Sequence, residues 1–396
     1  MLAEDSTLVQ TPPQTYPDRV AVPRATPIVV PWPWQRVALG AILVVAAALN
    51  FWQLSQVGYG NTYYAAAVRS MLQNWHAFLF NAFDANGFVT IDKPPLGFWL
   101  QVASAKLFGY SGLSLILPQA LAGVLSVAVL YRLVSRTFGA GAGLLAALAL
   151  AVMPVSVAAN RSNIVDSTLV LVTLLGAWAV LRAAETGRLR WLLLCAVLVG
   201  LGFNVKMLQA FLVVPAFGLL YLLAAPRRWI TRVWHLAVAT VALLAISLSW
   251  VTAVDLTPAS QRPYVGSSTH NSALELALGY NGLQRLTENV FGRGPRPSRP
   301  AGTTTATVRS EGTPNSAAPG GANGGFTRGE TGNPGPLRLF NSALGGQASW
   351  LLALALLGVI VAAWRRLPRF HFRHCLRFRH CFRHSAPTKS QVKSGL

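Results

Sequence analysis

The chain has 396 residues, 53% of them hydrophobic and only 11% charged, with a mean hydropathy of +0.44, a balance that excludes an ordinary soluble globular protein and marks an integral membrane one. A net charge of +21 raises nucleic acid as a partner, but nine of the basic residues fall in 365–396 with no acid among them. Basic loops facing a charged lipid leaflet explain the rest, so membrane lipid is expected as a partner and nucleic acid is not.

Residues 1–35 are polar and proline-rich, without the apolar core of a signal peptide, and read as a disordered cytoplasmic leader. Residues 36–286 read as a transmembrane core. Its first span is 37–54, which places 55–112 outside. In that outer segment Tyr64, Ala67, Val68, Met71, Leu72, Trp75, Phe78, Leu79 and Ala82 recur at helical spacing, the pattern of a helix lying in the membrane interface. Asp84-Ala85-Asn86-Gly87 is turn chemistry, and a second short amphipathic helix over 96–108 returns the chain to the bilayer. Apolar runs at 113–134, 142–158, 164–181, 191–203, 208–223 and 236–254 supply further spans, and 347–364 holds the last. The fold class is thus an all-α polytopic membrane protein of about eight spans. A second outer loop covers 255–290, 291–346 is a Gly/Pro-rich outer linker, and 365–396 is a basic cytoplasmic tail. Alternation gathers Arg132, Arg136, Arg182, Arg188, Arg190, Arg227, Arg228 and Arg232 on one side, the cytoplasmic side by the positive-inside rule. Three cysteines, one of them Cys195 in an apolar run, are too few for a disulfide framework.

The polar residues with chemistry collect at the opposite side. Asp84, Asp92 and Lys93 lie in the first outer loop, Arg161, Asn163 and Asp166 between two spans, Lys206 in a short turn, and His270, Asn271, Glu275, Tyr280 and Asn281 after the seventh span. A transporter would carry charge near mid-span, whereas these spans are clean in their middles. Asp92 and Lys93 form a charged pair in apolar surroundings, which is costly unless used, and Pro94 and Pro95 fix the backbone behind them. Such a site suits group transfer from a lipid carrier. A sugar on a polyprenyl phosphate keeps its tail in the bilayer and its phosphate at headgroup level, the depth of Lys93, Arg161 and Lys206, whose charges would hold the phosphate. Asp92 or Asp84 would accept the proton of the attacking hydroxyl. Each residue has a plainer role: Lys206 snorkelling to the interface, Asp166 capping its helix, His270 an ordinary polar loop residue.

Five ordered motifs add to this: Tyr63-Tyr64-Ala65-Ala66-Ala67-Val68-Arg69-Ser70-Met71, Asp92-Lys93-Pro94-Pro95-Leu96-Gly97, Asn160-Arg161-Ser162-Asn163-Ile164-Val165-Asp166, Gly202-Phe203-Asn204-Val205-Lys206-Met207-Leu208-Gln209-Ala210 and Leu278-Gly279-Tyr280-Asn281-Gly282-Leu283. Together they resemble bacterial family 39 glycosyltransferases, relatives of the protein O-mannosyltransferases and the lipid A aminoarabinose transferase. The resemblance spans about 50–286. It implies a GT-C fold and an inverting transfer from a polyprenyl-phosphate sugar, mannose by default, to an acceptor protein, lipid or wall polymer outside the cell membrane. It also implies that Asp92 helps form the site, where the family's acid can contact a divalent metal, and that Asp166 matches the family's acid at the start of the fourth span; apart from the resemblance, His270 is a second metal-ligand candidate. Tyr63, Tyr64, Asn163, Asn271, Glu275, Tyr280 and Asn281 join the cations as substrate-binding candidates. Two features depart from the family pattern. Tyr59-Gly60-Asn61-Thr62 lacks the acids that usually precede the first outer helix, and after Arg365 the chain runs into a basic near-repeat where further spans are usual. The first favours, as an alternative function, a non-catalytic membrane carrier or scaffold for lipid-linked sugar, and the second suggests a C-terminal truncation.

Overall fold

The computed structural model describes residues 34–283. The expected leader before Trp34, the 291–346 linker, the last span and the basic tail lie outside the described residues. The described helices are α1 (Trp34–Phe51), α2 (Thr62–Gln73), α3 (Trp75–Phe80), α4 (Leu96–Phe108), α5 (Gly112–Phe138), α6 (Ala140–Val152), α7 (Pro154–Asn160), α8 (Asp166–Thr186), α9 (Leu189–Lys206), α10 (Val214–Ala224), α11 (Trp229–Leu256) and α12 (Ala273–Leu278).

Five helical stretches are long and apolar enough to cross a membrane, namely Trp34–Val57, Gly112–Phe138, Asp166–Thr186, Leu189–Ala224 and Trp229–Leu256, and the α6–α7 pair makes a sixth. That pair is bent by 60°, because Pro154 opens α7 where a helix interior would need its missing N–H. Leu189–Ala224 holds 36 residues, which at about 1.5 Å per residue would far exceed a hydrocarbon core of about 30 Å. It turns back on itself instead. Met207 takes a left-handed φ of 49°, a 3₁₀ segment Met207–Val213 follows, and Arg227 Nε then donates to Gly187 O at 3.0 Å, so the two flanks of the stretch meet. Leu192 and Cys195 at its start share one buried cluster with Tyr221 and Ala225 at its end. The expected spans at 191–203 and 208–223 are this pair of passes.

One end of the bundle carries the α5–α6, α8–α9 and α10–α11 turns with their arginines. There Arg136 meets Glu185 at 2.6 Å and Arg182 meets the same carboxylate at 3.6 Å. The other end carries the two outer segments and the turns after α7 and α9.

The first outer segment departs from the expected single interfacial helix. It breaks at Asn74, whose backbone is extended and whose side chain caps α3 by accepting from Ala77 N at 2.7 Å. Asn61 caps α2 in the same way. These amides meet N–H groups that a helix start leaves unpaired. The apolar face of α2 also does not serve lipid. Val68 and Met71 are buried in the main cluster with Phe98 and Val102 of α4, Val254 of α11 and Leu276 of α12. The second helix forms over 96–108 as the sequence predicts.

Between α3 and α4 the chain makes a small antiparallel turn, with Ala82 bridged to Thr90 and Phe83 N donating to Val89 O at 2.7 Å. The returning limb pairs with the second outer segment, where Thr90 N donates to Tyr264 O and Tyr264 N to Phe88 O, both at 2.9 Å. The two outer segments therefore share backbone hydrogen bonds and fold as one cap.

Gly97 lets α4 sit against the start of α8. A Cβ at this position would lie 2.4 Å from Val165 Cγ1 and 2.8 Å from its Cβ. Gly97→Ala is expected to destabilise the protein by ~1–3 kcal/mol through overpacking, whereas Gly40→Ala, with nothing within 4 Å, is expected to be neutral or slightly stabilising. Melting temperatures of the two variants in one detergent check this.

Candidate active site

The first outer segment delivers Asp92 and Lys93 on fixed backbone. Asp84 organises the turn before them: its carboxylate accepts from the backbone N–H groups of Asn86, Phe88 and Val89 at 3.0–3.2 Å. Asn81, left-handed at φ 57°, accepts from Ile91 N at 3.1 Å and donates through Nδ2 to Lys93 O at 2.7 Å. Pro94 and Pro95 then lead directly into α4.

Lys93 Nζ lies 2.5 Å from Asp92 Oδ2, with side-chain exposures of only 6% and 14%. A pair this dry repays its desolvation only when further hydrogen bonds surround it. They are present. Lys93 Nζ also reaches Asp92 O and Asn281 Oδ1, each at 3.2 Å, and lies 5.4 Å from the centre of the Tyr280 ring. Asn281 Nδ2 donates to Asp92 O at 2.8 Å. The other carboxylate oxygen, Asp92 Oδ1, accepts from Tyr64 OH at 3.4 Å. Tyr63 stands beside the same carboxylate, and burial first, then the negative charge of Asp92, pushes its hydroxyl pKa up to about 12. It therefore stays a neutral O–H donor at any physiological pH.

A second ion pair, Lys206 with Asp166, joins the end of α9 to the first turn of α8. An acid there also complements the helix dipole. Met207 connects the two pairs: it follows Lys206, is fully buried, and its Sδ accepts from Asn281 Nδ2 at 3.2 Å. Sequence reasoning missed Met207, since a methionine in an apolar run carries no signal, and missed Asn81, whose only hint is that asparagine tolerates the left-handed conformation seen here.

Several sequence candidates serve the backbone instead. Arg161 Nη1 donates to Leu49 O at 3.0 Å and Trp52 O at 2.7 Å, closing the C-terminus of α1. Asn163 exchanges two hydrogen bonds with the backbone of Asn61 at 2.7 and 2.9 Å. In the second outer segment Asn271 Oδ1 accepts from Val265 N at 2.8 Å. Asp255 caps α12 through Ala273 N, Leu274 N and the Ser272 hydroxyl. Glu275 accepts from His270 N and Thr269 N, which holds its carboxyl below the usual range. His270 faces that carboxylate at 3.4 Å and not Asp92. Among the described residues no three His, Cys, Asp or Glu side chains gather as a metal site.

The family described as dolichyl-phosphate-mannose-protein mannosyltransferase matches residues 92–250, beginning at Asp92 itself. Two Bacillus subtilis (strain 168) proteins are similar over most of the chain. "Putative mannosyltransferase YycA" is 43% identical over 388 residues, covering 84% of this chain and 56% of its own length. "Putative mannosyltransferase YkcB" is 40% identical over 379 residues, covering 82% and 53%. The chain thus spans little more than half the length of these curated relatives. Among solved structures, ArnT from Cupriavidus metallidurans in the apo state aligns at 24% identity and a TM-score of 0.45, covering 56% of this chain and 42% of that one. The same protein bound to undecaprenyl phosphate aligns at a TM-score of 0.43, covering 56% and 41%. Residues 92–250, a segment that opens on the buried ion pair, match the dolichyl-phosphate-mannose-protein mannosyltransferase family, and more than four fifths of the chain is similar to two relatives named as mannosyltransferases.

Proposed function

We propose that the protein transfers a sugar, mannose by default, from a polyprenyl phosphate to a hydroxyl acceptor at the end of the bundle that carries the two outer segments. The observation that carries this reading is the Asp92–Lys93 pair, nearly dry yet placed at a helix-bundle rim with Tyr63, Tyr64 and Asn281 around it. Lys93 occupies Oδ2 and leaves Oδ1 turned toward Tyr64, so Oδ1 is the base. The acceptor oxygen attacks the anomeric carbon, its proton passes to Asp92 Oδ1, and the bond from the anomeric carbon to the phosphate oxygen breaks. The electron pair leaves on the phosphate. Attack opposite the leaving group inverts the anomeric centre. Lys206, 15% exposed at the end of α9, is the cation that meets the phosphate, with Asp166 holding its amine in place.

Asp84 is the weaker base, because its two oxygens are spent on backbone amides. Arg161 is the weaker phosphate ligand for the same kind of reason. By positive-inside alternation the site faces the outside of the cell membrane, and the second outer segment presents the acceptor. A non-catalytic carrier is the second reading, favoured by one observation: where the family has acids before its first outer helix, Asn61 here is an N-cap locked to Asn163.

Asp92→Asn is expected to cut sugar transfer by roughly 10²–10⁴-fold with donor binding retained, while Asp84→Asn keeps turnover and lowers thermal stability by about 1–3 kcal/mol. Transfer from radiolabelled polyprenyl-phosphate mannose and glucose by the full chain in nanodiscs, with membrane extract as acceptor, measures the first, and melting curves the second. A wild type that binds donor and never turns over would establish the carrier reading instead. In the same assay Lys206→Gln is expected to raise KM for the donor by about tenfold, the scale of one charge-assisted phosphate contact.

A further inference from the structure

At the arginine-rich end, remote from Asp92 in the fold, the α8–α9 and α10–α11 turns flank a shallow, open hollow of about 500 Å³ lined by Gly187, Arg188, Arg190, Arg227, Thr231 and His235, among others. None of its lining residues is acidic. The nearby acid in sequence, Glu185, is already taken by Arg136 and Arg182. Arg227 is committed through Nε to Gly187 O, and Arg190 lies over the Trp191 ring at 5.5 Å. Arg188, exposed at the cap of α9, has no side-chain hydrogen bond or ion pair with the described residues. Three guanidinium groups around one hollow with no counter-charge produce a strong positive potential. The hollow also opens on the first turns of α9 and α11, whose N–H ends add to it.

Aromatic side chains beside the hollow argue for a place at lipid-headgroup level. Trp229 and Trp234 beside it are 57% and 67% exposed, and Trp178 packs edge-on against Trp191 at 5.2 Å, an aromatic belt of the kind found at membrane surfaces. A second hollow of about 340 Å³ begins at the same Arg190 and continues over Trp191 and Leu194 down α9. Charge above and apolar surface below match a molecule with a phosphate and an acyl chain.

We infer that this end of the bundle holds the phosphate of an anionic lipid, in the leaflet opposite the sugar-transfer site. Arg188 and Arg190 supply the unspent donors, Arg227 and Thr231 close the sides, and the Trp191–Leu194 face takes the chain. Free phosphate offers the same recognised group without the chain, so the test separates the two sources.

The full chain, purified in a neutral detergent, is titrated with phosphatidylglycerol or phosphatidylcholine, and bound lipid is counted by native mass spectrometry. Phosphatidylglycerol is expected to bind about tenfold more tightly or better. Arg188→Gln/Arg190→Gln should erase that margin and Arg188→Lys/Arg190→Lys should keep most of it, with an unchanged melting temperature showing that the Gln variant is folded. Millimolar inorganic phosphate should not displace the lipid. Displacement by phosphate, together with phosphate protection lost in the Gln variant, would overturn the lipid as the source. Equal binding of the two lipids, or a margin untouched in the folded Gln variant, would overturn the site.

Discussion

Removing Asp92 and Lys93 from water costs several kcal/mol per charge before any return, and the arrangement at this end of the bundle answers that cost. Their mutual contact is not enough, because an ammonium has three hydrogens and a carboxylate two oxygens to satisfy. Asn281 takes one ammonium hydrogen and holds the Asp92 carbonyl. Tyr64 donates its hydroxyl to the second carboxylate oxygen, and Tyr63 stands beside the pair with a hydroxyl that burial keeps protonated. Asn81 and Met207 both take positive φ angles, and the chain turns sharply at each beside the pair.

Most of the span layout was legible in the sequence, since apolar length and arginine alternation are read directly from residue type. Helix 96–108 appeared where its prolines and periodicity put it. The breaks were harder to see. Asn74 interrupts an apolar stripe without changing its period, and only the cap it forms reveals it. The stripe itself was legible while its partner was not: Val68 and Met71 would suit lipid as well as the protein core they join, because both surroundings are apolar. The pairing of Thr90 with Tyr264 had no sequence signal, as backbone groups supply it.

The site was legible as a set of polar residues and illegible as a division of labour. Asp84, Asp255 and Glu275 have the same chemistry as Asp92, yet each is engaged by backbone N–H groups of an irregular loop. Such loops leave many donors without a partner, and carboxylates are strong acceptors for them. Asp92 differs by facing a lysine and the Tyr64 hydroxyl instead of amides. That contrast is a property of neighbours brought from far along the chain.

The reach of Asn281 has a consequence for biosynthesis. It is separated from Lys93 by 188 residues, so at about 5–20 residues per second the ribosome needs roughly 10–40 s to make it after Lys93 has emerged. During that interval the nascent chain displays a lysine and an aspartate whose final amide does not yet exist, and water must stand in for it. The pair can dry only after α11 has been inserted and the second outer segment has closed over the first. A chain that ends before Asn281 therefore lacks the amide that bridges Lys93 and the Asp92 carbonyl.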